Sequence, residues 1–197
     1  MAKKRLALLI SGNGSNLQAI INACQNEIIN AEVVVVISNR KDAYGLKKAE
    51  KAAIPAIYHP YFKGSDRNLY DDSLSKLVLQ YTPDFVVLAG WMRKLSMHFL
   101  RYFPMKVVNI HPALPDTFPG THAIERAFHA YQEGEITQSG VMIHYVPDEG
   151  VDDGPILLQK IIKINPEDQL ADFEDRIHET EHHLFTEVLC MLCNNSR

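Results

Sequence analysis

Residues 6–16 read LALLISGNGSN, an apolar run that passes directly into a glycine-rich turn. Apolar residues at helical spacing follow the turn: Leu17, Ile20, Ile21 and Cys24. A buried strand, a glycine turn and a helix in this order predict a βα unit, with the first strand at 6–11. Free N–H groups and the helix dipole attract an anion to such a turn, and glycine lets the backbone come close to it. Residues 11–16 are therefore a candidate phosphate-binding turn.

The turn at 11–16 also has other interpretations. It lacks the third glycine of the dinucleotide fingerprint, where Leu17 stands, and no acidic residue ends the second predicted strand. That strand ends in Asn39-Arg40, and Arg40 could accept the 2′-phosphate of NADP. A tight turn with Ser15 as the helix cap is the structural alternative. The residues alone leave these interpretations open.

Strands and helices alternate through the first two thirds of the chain, which is typical of a parallel sheet built from βαβ units. After residue 135 the pattern changes, because two strands follow each other without a helix between them. Strands are predicted at 6–11, 32–38, 53–58, 83–89, 106–111, 140–146 and 156–164, and the last helix starts near 166–167. We predict one α/β domain, 1–197, with a Rossmann-like, mostly parallel twisted sheet flanked by helices and an antiparallel or mixed C-terminal extension.

Composition places the chain among globular proteins without a general affinity for nucleic acid. Of 197 residues, 46% are hydrophobic and 22% are charged, as in an average globular domain. Lysine and arginine number 20 against 24 acidic residues, and the resulting net charge of −4 provides no positive field. Three cysteines suit a reducing compartment, and the apolar run at 6–10 is too short for a secretory signal or a membrane span. We predict a cytoplasmic protein.

Asn109 and His111 form a second candidate site at the end of the fifth predicted strand. Successive residues of a strand alternate between its faces, so both side chains lie on one face and Ile110 lies on the other. Two polar groups on an apolar strand are costly to bury unless they are used. An amide can donate to a developing oxyanion, and a histidine can move a proton or stabilise charge. Hydrogen-bonded loop anchors are the alternative.

Acidic residues occur at two further places. The loop at 147–155 reads PDEGVDDGP, and loops of this composition are usually solvated turns. A carboxylate from this loop could instead orient a histidine, as in many acid–base sites. Glu181 continues the apolar seam of the last predicted helix between Ile177 and Leu184. A carboxylate there is costly unless it binds something, and a snorkelling side chain is the alternative.

Two motifs resemble metal sites but have simpler interpretations. HETEH at 178–182 matches the H-E-x-x-H zinc motif, yet Glu181 adds a second acid and few residues follow to supply a third ligand. Cys190 and Cys193 form a C-x-x-C without a second pair, near the end of the sequence. We interpret the first as part of a charged helix and the second as buried helix cysteines, and we predict no metal.

Five segments carry a resemblance to a known family: LISGNGSNLQAI at 9–20, SNR at 38–40, LAGWMRKLS at 88–96, NIHPALPDTFPG at 109–120 and HYVPDEGVDDGPIL at 144–157. The chain resembles the formyltetrahydrofolate-dependent formyltransferases, because NIHP, here at 109–112, followed by a D-x-GP loop, here at 152–155, is typical of that family. GNGSN marks the phosphoribosylglycinamide formyltransferases within it. The resemblance implies transfer of a formyl group from 10-formyltetrahydrofolate to the glycine amine of glycinamide ribonucleotide, in de novo purine (IMP) biosynthesis.

The resemblance also implies roles for individual residues. Asn109, His111 and Asp152 match the catalytic trio, in which Asn109 and a protonated His111 stabilise the oxyanion. Asp152 would hold His111 and, through water, help to move the proton. The ribonucleotide phosphate would lie on Gly14, Ser15 and Asn16, with Glu181 near the substrate amine. The folate would be held by Arg67, Met92, Arg93, Lys94, Leu95, Asn109, Pro147, Asp148, Glu149, Gly150 and Val151. The chain would act on small molecules, without metal, nucleic acid or membrane, as a monomer or homodimer.

The chain departs from the family pattern at two places. Many relatives read NIHPSLLP where this chain reads NIHPALPD, so Pro115 and Asp116 alter the loop after His111. The acidic loop is one residue longer than in some relatives, which leaves Asp152 or Asp153 as the catalytic acid. We choose Asp152, because it keeps two residues before the proline at 155.

Three other functions remain as alternatives. A formyltetrahydrofolate hydrolase would use water in place of the amine, but those enzymes carry an additional N-terminal regulatory domain. Methionyl-tRNA formyltransferases need a C-terminal RNA-binding domain and a basic surface. A non-catalytic NADP-binding regulator would use residues 12–16 and Arg40, and it would leave Asn109, His111 and the acidic loop unexplained.

Overall fold

A computed structural model describes residues 2–194 and shows a seven-stranded sheet with helices on both faces. The strands are β1 (Lys4–Ile10), β2 (Ala31–Ser38), β3 (Ala56–Tyr58), β4 (Phe85–Leu88), β5 (Val107–His111), β6 (Gln138–Tyr145) and β7 (Ile156–Lys163). The helices are α1 (Ser15–Gln25), α2 (Tyr44–Lys51), α3 (Arg67–Leu79), α4 (Met97–Leu100), α5 (Ala123–Gln132) and α6 (Leu170–Asn194). The alternation of strands and helices predicted from the sequence is confirmed.

The sheet has the strand order β3-β2-β1-β4-β5-β6-β7. Strands β1 to β5 pair in parallel, whereas β6 is antiparallel to both β5 and β7. The predicted fold class, with its antiparallel or mixed C-terminal extension, is therefore confirmed, and the extension is antiparallel. The chain adds β2 and β3 on one side of β1 and β4 and β5 on the other, which opens a crevice at the carboxyl ends of β1 and β4. Sheets of this kind bind their ligands in that crevice.

Two hydrophobic cores lie on opposite faces of the sheet. Helices α1, α2, α5 and α6 cover one face, and α3 and α4 cover the other. Along β5, Val108 and Ile110 belong to the first core, and Val107 belongs to the second. Asn109 and His111 therefore share the face of Val107, as the period of the strand predicts. The acidic loop after β6 folds over this same face.

The boundaries differ from the predicted ones mainly at β3 and α6. Strand β3 has only three residues, because the chain turns through Ala53 in a left-handed conformation (φ 57°) after α2. Helix α6 begins at Leu170 rather than near 166–167, because the side chain of Asp168 accepts the backbone N–H of Asn165 and closes a turn there. Of the two cysteines in this helix, Cys193 is buried and Cys190 is half-buried. No helix within residues 2–194 is long and apolar enough to cross a membrane.

Candidate active site

One carboxylate joins the two polar residues of β5. Asp152 Oδ1 accepts a hydrogen bond from Asn109 Nδ2 at 3.1 Å, and Asp152 Oδ2 lies 3.3 Å from His111 Nδ1. His111 is 3% exposed, and the side chain of Asp152 is 12% exposed. The neighbouring Asp153 is exposed. The loop after β6 thus brings Asp152, rather than Asp153, to the strand that carries Asn109 and His111.

The loop between β5 and α5, where the sequence departs from the family pattern, has a strained backbone. Asp116 and Phe118 have left-handed φ angles of 61° and 48°, which is uncommon for aspartate and rare for a bulky residue. Arg126 on α5 stabilises this conformation by donating to the carbonyl oxygens of Phe118 and of the next residue. The same loop presents the backbone N–H of Gly120, which donates to Asp152 Oδ2 at 2.8 Å. Sequence reasoning assigned no role to Gly120, because this contact joins distant positions.

His144 is a further member of the cluster that sequence reasoning missed. It is 2% exposed and lies directly opposite Asn109 in the β5–β6 pair. Its Nδ1 lies 2.8 Å from the carbonyl oxygen of Tyr145, and because a carbonyl only accepts, Nδ1 carries a proton. In the neutral ring, Nε2 then accepts a hydrogen bond from Asn109 Nδ2, 3.2 Å away. A histidine inside the apolar run at 140–146 is the sequence pattern that could have indicated it.

Both N–H groups of the Asn109 amide are therefore used, one by Asp152 and one by His144. The orientation of the amide follows from these partners, because a reversed amide would place its oxygen against the carboxylate of Asp152. An oxyanion in the site can accept a hydrogen bond from Asn109 only in exchange for one of these two bonds.

Burial determines the protonation state of His111. Desolvation lowers the pKa of His111 below its ordinary 6.5, although the carboxylate of Asp152 acts in the opposite direction. Burial acts to raise the pKa of Asp152, but the groups around its carboxylate, among them the donating N–H of Gly120, lower it overall. At neutral pH Asp152 is ionised and His111 is neutral, so the structure does not support a His111 that is protonated before the reaction. Its Nε2 is buried and has no hydrogen-bond partner within residues 2–194.

An NMR titration of the His111 ring should therefore give a midpoint below pH 6.5. In an Asp152→Asn variant the midpoint should fall further, because the carboxylate that favours the imidazolium is removed. The lowered pKa also makes stability depend on pH. The unfolded chain protonates His111 more readily than the folded chain does, so the contribution of His111 to the free energy of unfolding decreases as the pH falls below 6.5. A wild-type midpoint above this value, or a rise in the variant, would contradict the assignment of a neutral His111.

The turn at 11–16 has the local geometry of an anion site. Gly14 has a φ of 72° and immediately precedes α1. A Cβ added to Gly14 would lie 2.9 Å from Cα of Gly45, so α2 packs directly against the turn, and Lys48 Nζ donates to the carbonyl oxygen of Gly14 at 3.0 Å. Ser15 is the first residue of the helix and makes no capping hydrogen bond, so its interpretation as the helix cap is wrong. The first N–H groups of a helix have no partner inside it and can bind an anion.

Glu181 connects the last helix to this turn. The residue is 5% exposed, which excludes a snorkelling side chain. Its Oε2 accepts a hydrogen bond from Asn16 Nδ2 at 3.2 Å and lies 2.9 Å from His178 Nδ1. The hydrogen bond to Glu181 raises the pKa of His178. Across the described part of the chain, no three or more His, Cys, Asp or Glu side chains are grouped so that they could hold a metal ion.

A cavity of about 300 Å³ opens beside the cluster around Asp152, at the lower end of the range for small-molecule sites. Many of the predicted catalytic and folate-binding residues line it: Met92, Arg93, Lys94, Leu95, Asn109, His111, Pro147, Asp148, Gly150, Val151 and Asp152. Arg67 and Glu149 are not among its lining residues but contact each other at 3.2 Å. The predicted ribonucleotide residues Gly14, Ser15, Asn16 and Glu181 also lie outside the cavity.

Ser11 connects the anion-binding turn to the cavity wall. Its Oγ donates to Asn39 Oδ1 at 2.7 Å and accepts the backbone N–H of Met92 at 2.9 Å. Its own N–H donates to the carbonyl oxygen of Gly90 at 2.9 Å. The two parts of the candidate site therefore adjoin at the carboxyl ends of β1 and β4, the crevice that the strand order defines.

Acid–base groups beside an anion-binding turn, in the crevice of a doubly wound sheet, are typical of α/β enzymes that act on phosphorylated small molecules. Comparison with known proteins is more specific. Residues 4–189 match the family described as formyl transferase, and the chain belongs to that family.

Similar proteins cover nearly the whole chain. A phosphoribosylglycinamide formyltransferase of Dictyostelium discoideum is 43% identical over 200 residues, which cover 95% of this chain and 97% of that protein. In a trifunctional purine biosynthetic protein of Drosophila melanogaster, the match is 40% identical and covers 98% of this chain but 14% of that protein. The crystal structure of glycinamide ribonucleotide transformylase 1 from Symbiobacterium toebii has a TM-score of 0.90 at 37% identity, and the match covers 97% of this chain and 88% of that one. The chain is thus a formyltransferase of Rossmann-like fold.

Proposed function

We propose that this formyltransferase moves the formyl group of 10-formyltetrahydrofolate to the glycine amine of glycinamide ribonucleotide, a step of purine (IMP) biosynthesis. The observation that carries the proposal is the division of the site into two adjoining parts. An anion-binding turn joined to Glu181 suits a phosphorylated amine, and a cavity joined to the cluster of Asn109, His111 and Asp152 suits the formyl donor. The names of the similar proteins support the same substrates.

The geometry supports a direct transfer in which His111 accepts the proton of the attacking amine. The neutral amine nitrogen attacks the formyl carbon, a C–N bond forms, and the formyl oxygen becomes an oxyanion. His111 Nε2 takes the proton that the amine loses, and the ionised Asp152 stabilises the resulting imidazolium. When the oxyanion collapses, the bond from the formyl carbon to the folate nitrogen breaks, and that nitrogen receives the proton from His111.

Asn109 would stabilise the oxyanion by giving up one of its present partners. A hydrogen bond to a carboxylate is stronger than one to a neutral ring, so the bond to His144 is the weaker of the two. We therefore expect the N–H that now points to His144 to turn toward the oxyanion, while the bond to Asp152 keeps the amide in place.

The binding residues divide between the two substrates. Gly14, Ser15 and Asn16 would hold the phosphate, and Glu181 would accept a hydrogen bond from the substrate amine. In the folate part, apolar side chains of the cavity suit a flat ring system, and cations suit an acidic tail. This part consists of Arg67, Met92, Arg93, Lys94, Leu95, Asn109, Pro147, Asp148, Glu149, Gly150 and Val151. Because the net charge of the chain is −4, the attraction for two anionic substrates must come from such local groups.

An absorbance assay of deformylation tests the proposal. The chain is incubated with 10-formyltetrahydrofolate in the presence and in the absence of glycinamide ribonucleotide. Deformylation that requires the ribonucleotide is the expected result. Deformylation at the same rate without it would indicate a hydrolase, and binding of NADPH without binding of a folate would indicate a dinucleotide-binding protein.

Replacing Glu181 by glutamine should raise the KM for glycinamide ribonucleotide about ten- to hundredfold, as expected when a charge-assisted hydrogen bond is lost. The KM for the folate should not change, because Glu181 lies outside the cavity. Glu179→Gln is the matched control, since Glu179 lies on the same helix and is exposed. Equal changes of both KM values in the Glu181 variant would show that this residue supports the fold of the site rather than the amine.

A further inference from the structure

The carboxylate of Glu149 connects the acidic loop to two helices outside it. Its Oε1 accepts a hydrogen bond from the backbone N–H of Met97, at the start of α4, at 2.9 Å. Its Oε2 lies 3.2 Å from Nη2 of Arg67, the first residue of α3. The residues on either side of Glu149, Asp148 and Gly150, line the cavity. Glu149 thus links the wall of the cavity to the guanidinium of Arg67.

Arg67 has hydrogen-bonding capacity that these contacts do not use. Its Nε and Nη2 atoms are buried and make no hydrogen bond within residues 2–194. Asp71 Oδ2 lies 3.8 Å from Arg67 Nε, which is too far for a hydrogen bond, and this oxygen is held by the backbone N–H of Ser96 at 2.6 Å. A guanidinium binds a carboxylate best through two parallel N–H bonds, whereas Glu149 faces Arg67 with Oε2 only, because its Oε1 is turned toward the N–H of Met97. The pair of Arg67 and Glu149 is therefore open to replacement by a carboxylate that is free to bind both donors.

We propose that Glu149 is a specificity-determining residue, which occupies Arg67 until a tail carboxylate of the folate replaces it. The inference rests on the proposed function, because the glutamate tail of a folate supplies the competing carboxylates. Binding exchanges one carboxylate for another at Arg67 and releases the acidic loop from α3 and α4. A tail that entered beside a bound Glu149 would instead be repelled by it.

The exchange makes affinity depend on the charge of the ligand. When a site is occupied by an internal group, the apparent affinity for a ligand is reduced by the fraction of molecules in which the site is free. The side chain of Glu149 is 44% exposed, so its pair with Arg67 has the modest strength of a surface ion pair. A ligand without a carboxylate does not compete for Arg67, and its affinity does not depend on Glu149.

The test compares folic acid with the methylamide of pteroic acid, which has the same ring system and no carboxylate. Isothermal titration calorimetry of the full chain measures the Kd of each ligand. Glu149→Gln keeps an oxygen that can accept the N–H of Met97 and removes the charge that occupies Arg67. We expect folic acid to bind this variant about two- to fivefold more tightly than the wild type. The methylamide should bind both proteins equally, and in an Arg67→Gln background the Glu149 substitution should affect neither ligand.

Glu167→Gln is the charge control, because it removes one negative charge from an exposed position away from the cavity. Folic acid should bind this variant as it binds the wild type. Unchanged or weaker binding of folic acid to Glu149→Gln, or an equal gain for both ligands, would overturn the inference and leave the proposed function in place. A wild-type chain that bound neither ligand would overturn the proposed function and this inference with it.

Discussion

Replacing Asp152 by asparagine should lower kcat about a thousandfold while the chain remains folded. The carboxylate of Asp152 accepts hydrogen bonds from Asn109 Nδ2 and Gly120 N–H and faces Nδ1 of His111. Because these neighbours are donors, an asparagine must turn its own NH2 group toward one of them. It also cannot stabilise the imidazolium that forms on His111 during the transfer. Steady-state kinetics at saturating concentrations of both substrates measure kcat.

Asp153→Asn is the matched control, since it removes the same charge from the adjacent, exposed position. We expect its kcat to equal that of the wild type, and thermal unfolding should show that both variants are folded. A folded Asp152→Asn variant with nearly normal kcat would remove Asp152 from the trio. A loss of kcat in the Asp153 variant alone would assign the role to Asp153.

Gly154→Ala should remove most of the activity through a change in the backbone. A Cβ at this position would lie 1.9 Å from the carbonyl oxygen of Tyr145 and 2.9 Å from Cδ of Pro147. That carbonyl accepts the Nδ1 proton of His144, so its displacement releases the ring that contacts Asn109. We expect the free energy of unfolding to fall by about 1–3 kcal/mol, as in other overpacked sites. We expect kcat to fall about a hundredfold, as when one oxyanion donor is misplaced.

Gly12→Ala is the control for the stability measurement. An added Cβ there would have no heavy atom within 4 Å, and Gly12 does not have the left-handed φ that would strain an alanine. Denaturant unfolding of this variant should give the wild-type free energy. If Gly154→Ala instead retained both stability and kcat, the end of β6 would be able to move without disturbing His144, and the contact between His144 and the carbonyl of Tyr145 would not be needed for activity.

Local patterns made much of the fold predictable. The run from Val33 to Ile37 is apolar at every position, which is typical of a central strand buried on both faces, and it forms part of β2. The period of two in a strand predicts that Asn109 and His111 share one face, and the structure has them on the face of Val107. The absence of a helical pattern between 146 and 156 predicted an antiparallel or mixed pairing of the last two strands, and the structure shows that it is antiparallel. These features depend only on neighbouring residues.

The candidate site was less predictable, because its contacts join distant parts of the chain. Asn109 meets Asp152 across 43 positions, and Asn16 meets Glu181 across 165. The resemblance to a family suggested these residues, but no spacing rule could have brought them together. The place of His144 depends on the register between β5 and β6, and the neutral state of His111 depends on its burial in the folded chain. Both properties exist only after the sheet has formed.

The carboxylate of Asp152 is held by β5 and by the loop before α5, and none of these contacts involves residues 147–151. An insertion or substitution in that segment can therefore leave the reacting groups in place. Over evolutionary time, preference for the formyl donor can diverge on one side of the cavity while the transfer chemistry stays constant on the other. The same independence offers protein engineers a segment in which donor preference can be redesigned by varying loop length, with kcat as the quantity to be preserved.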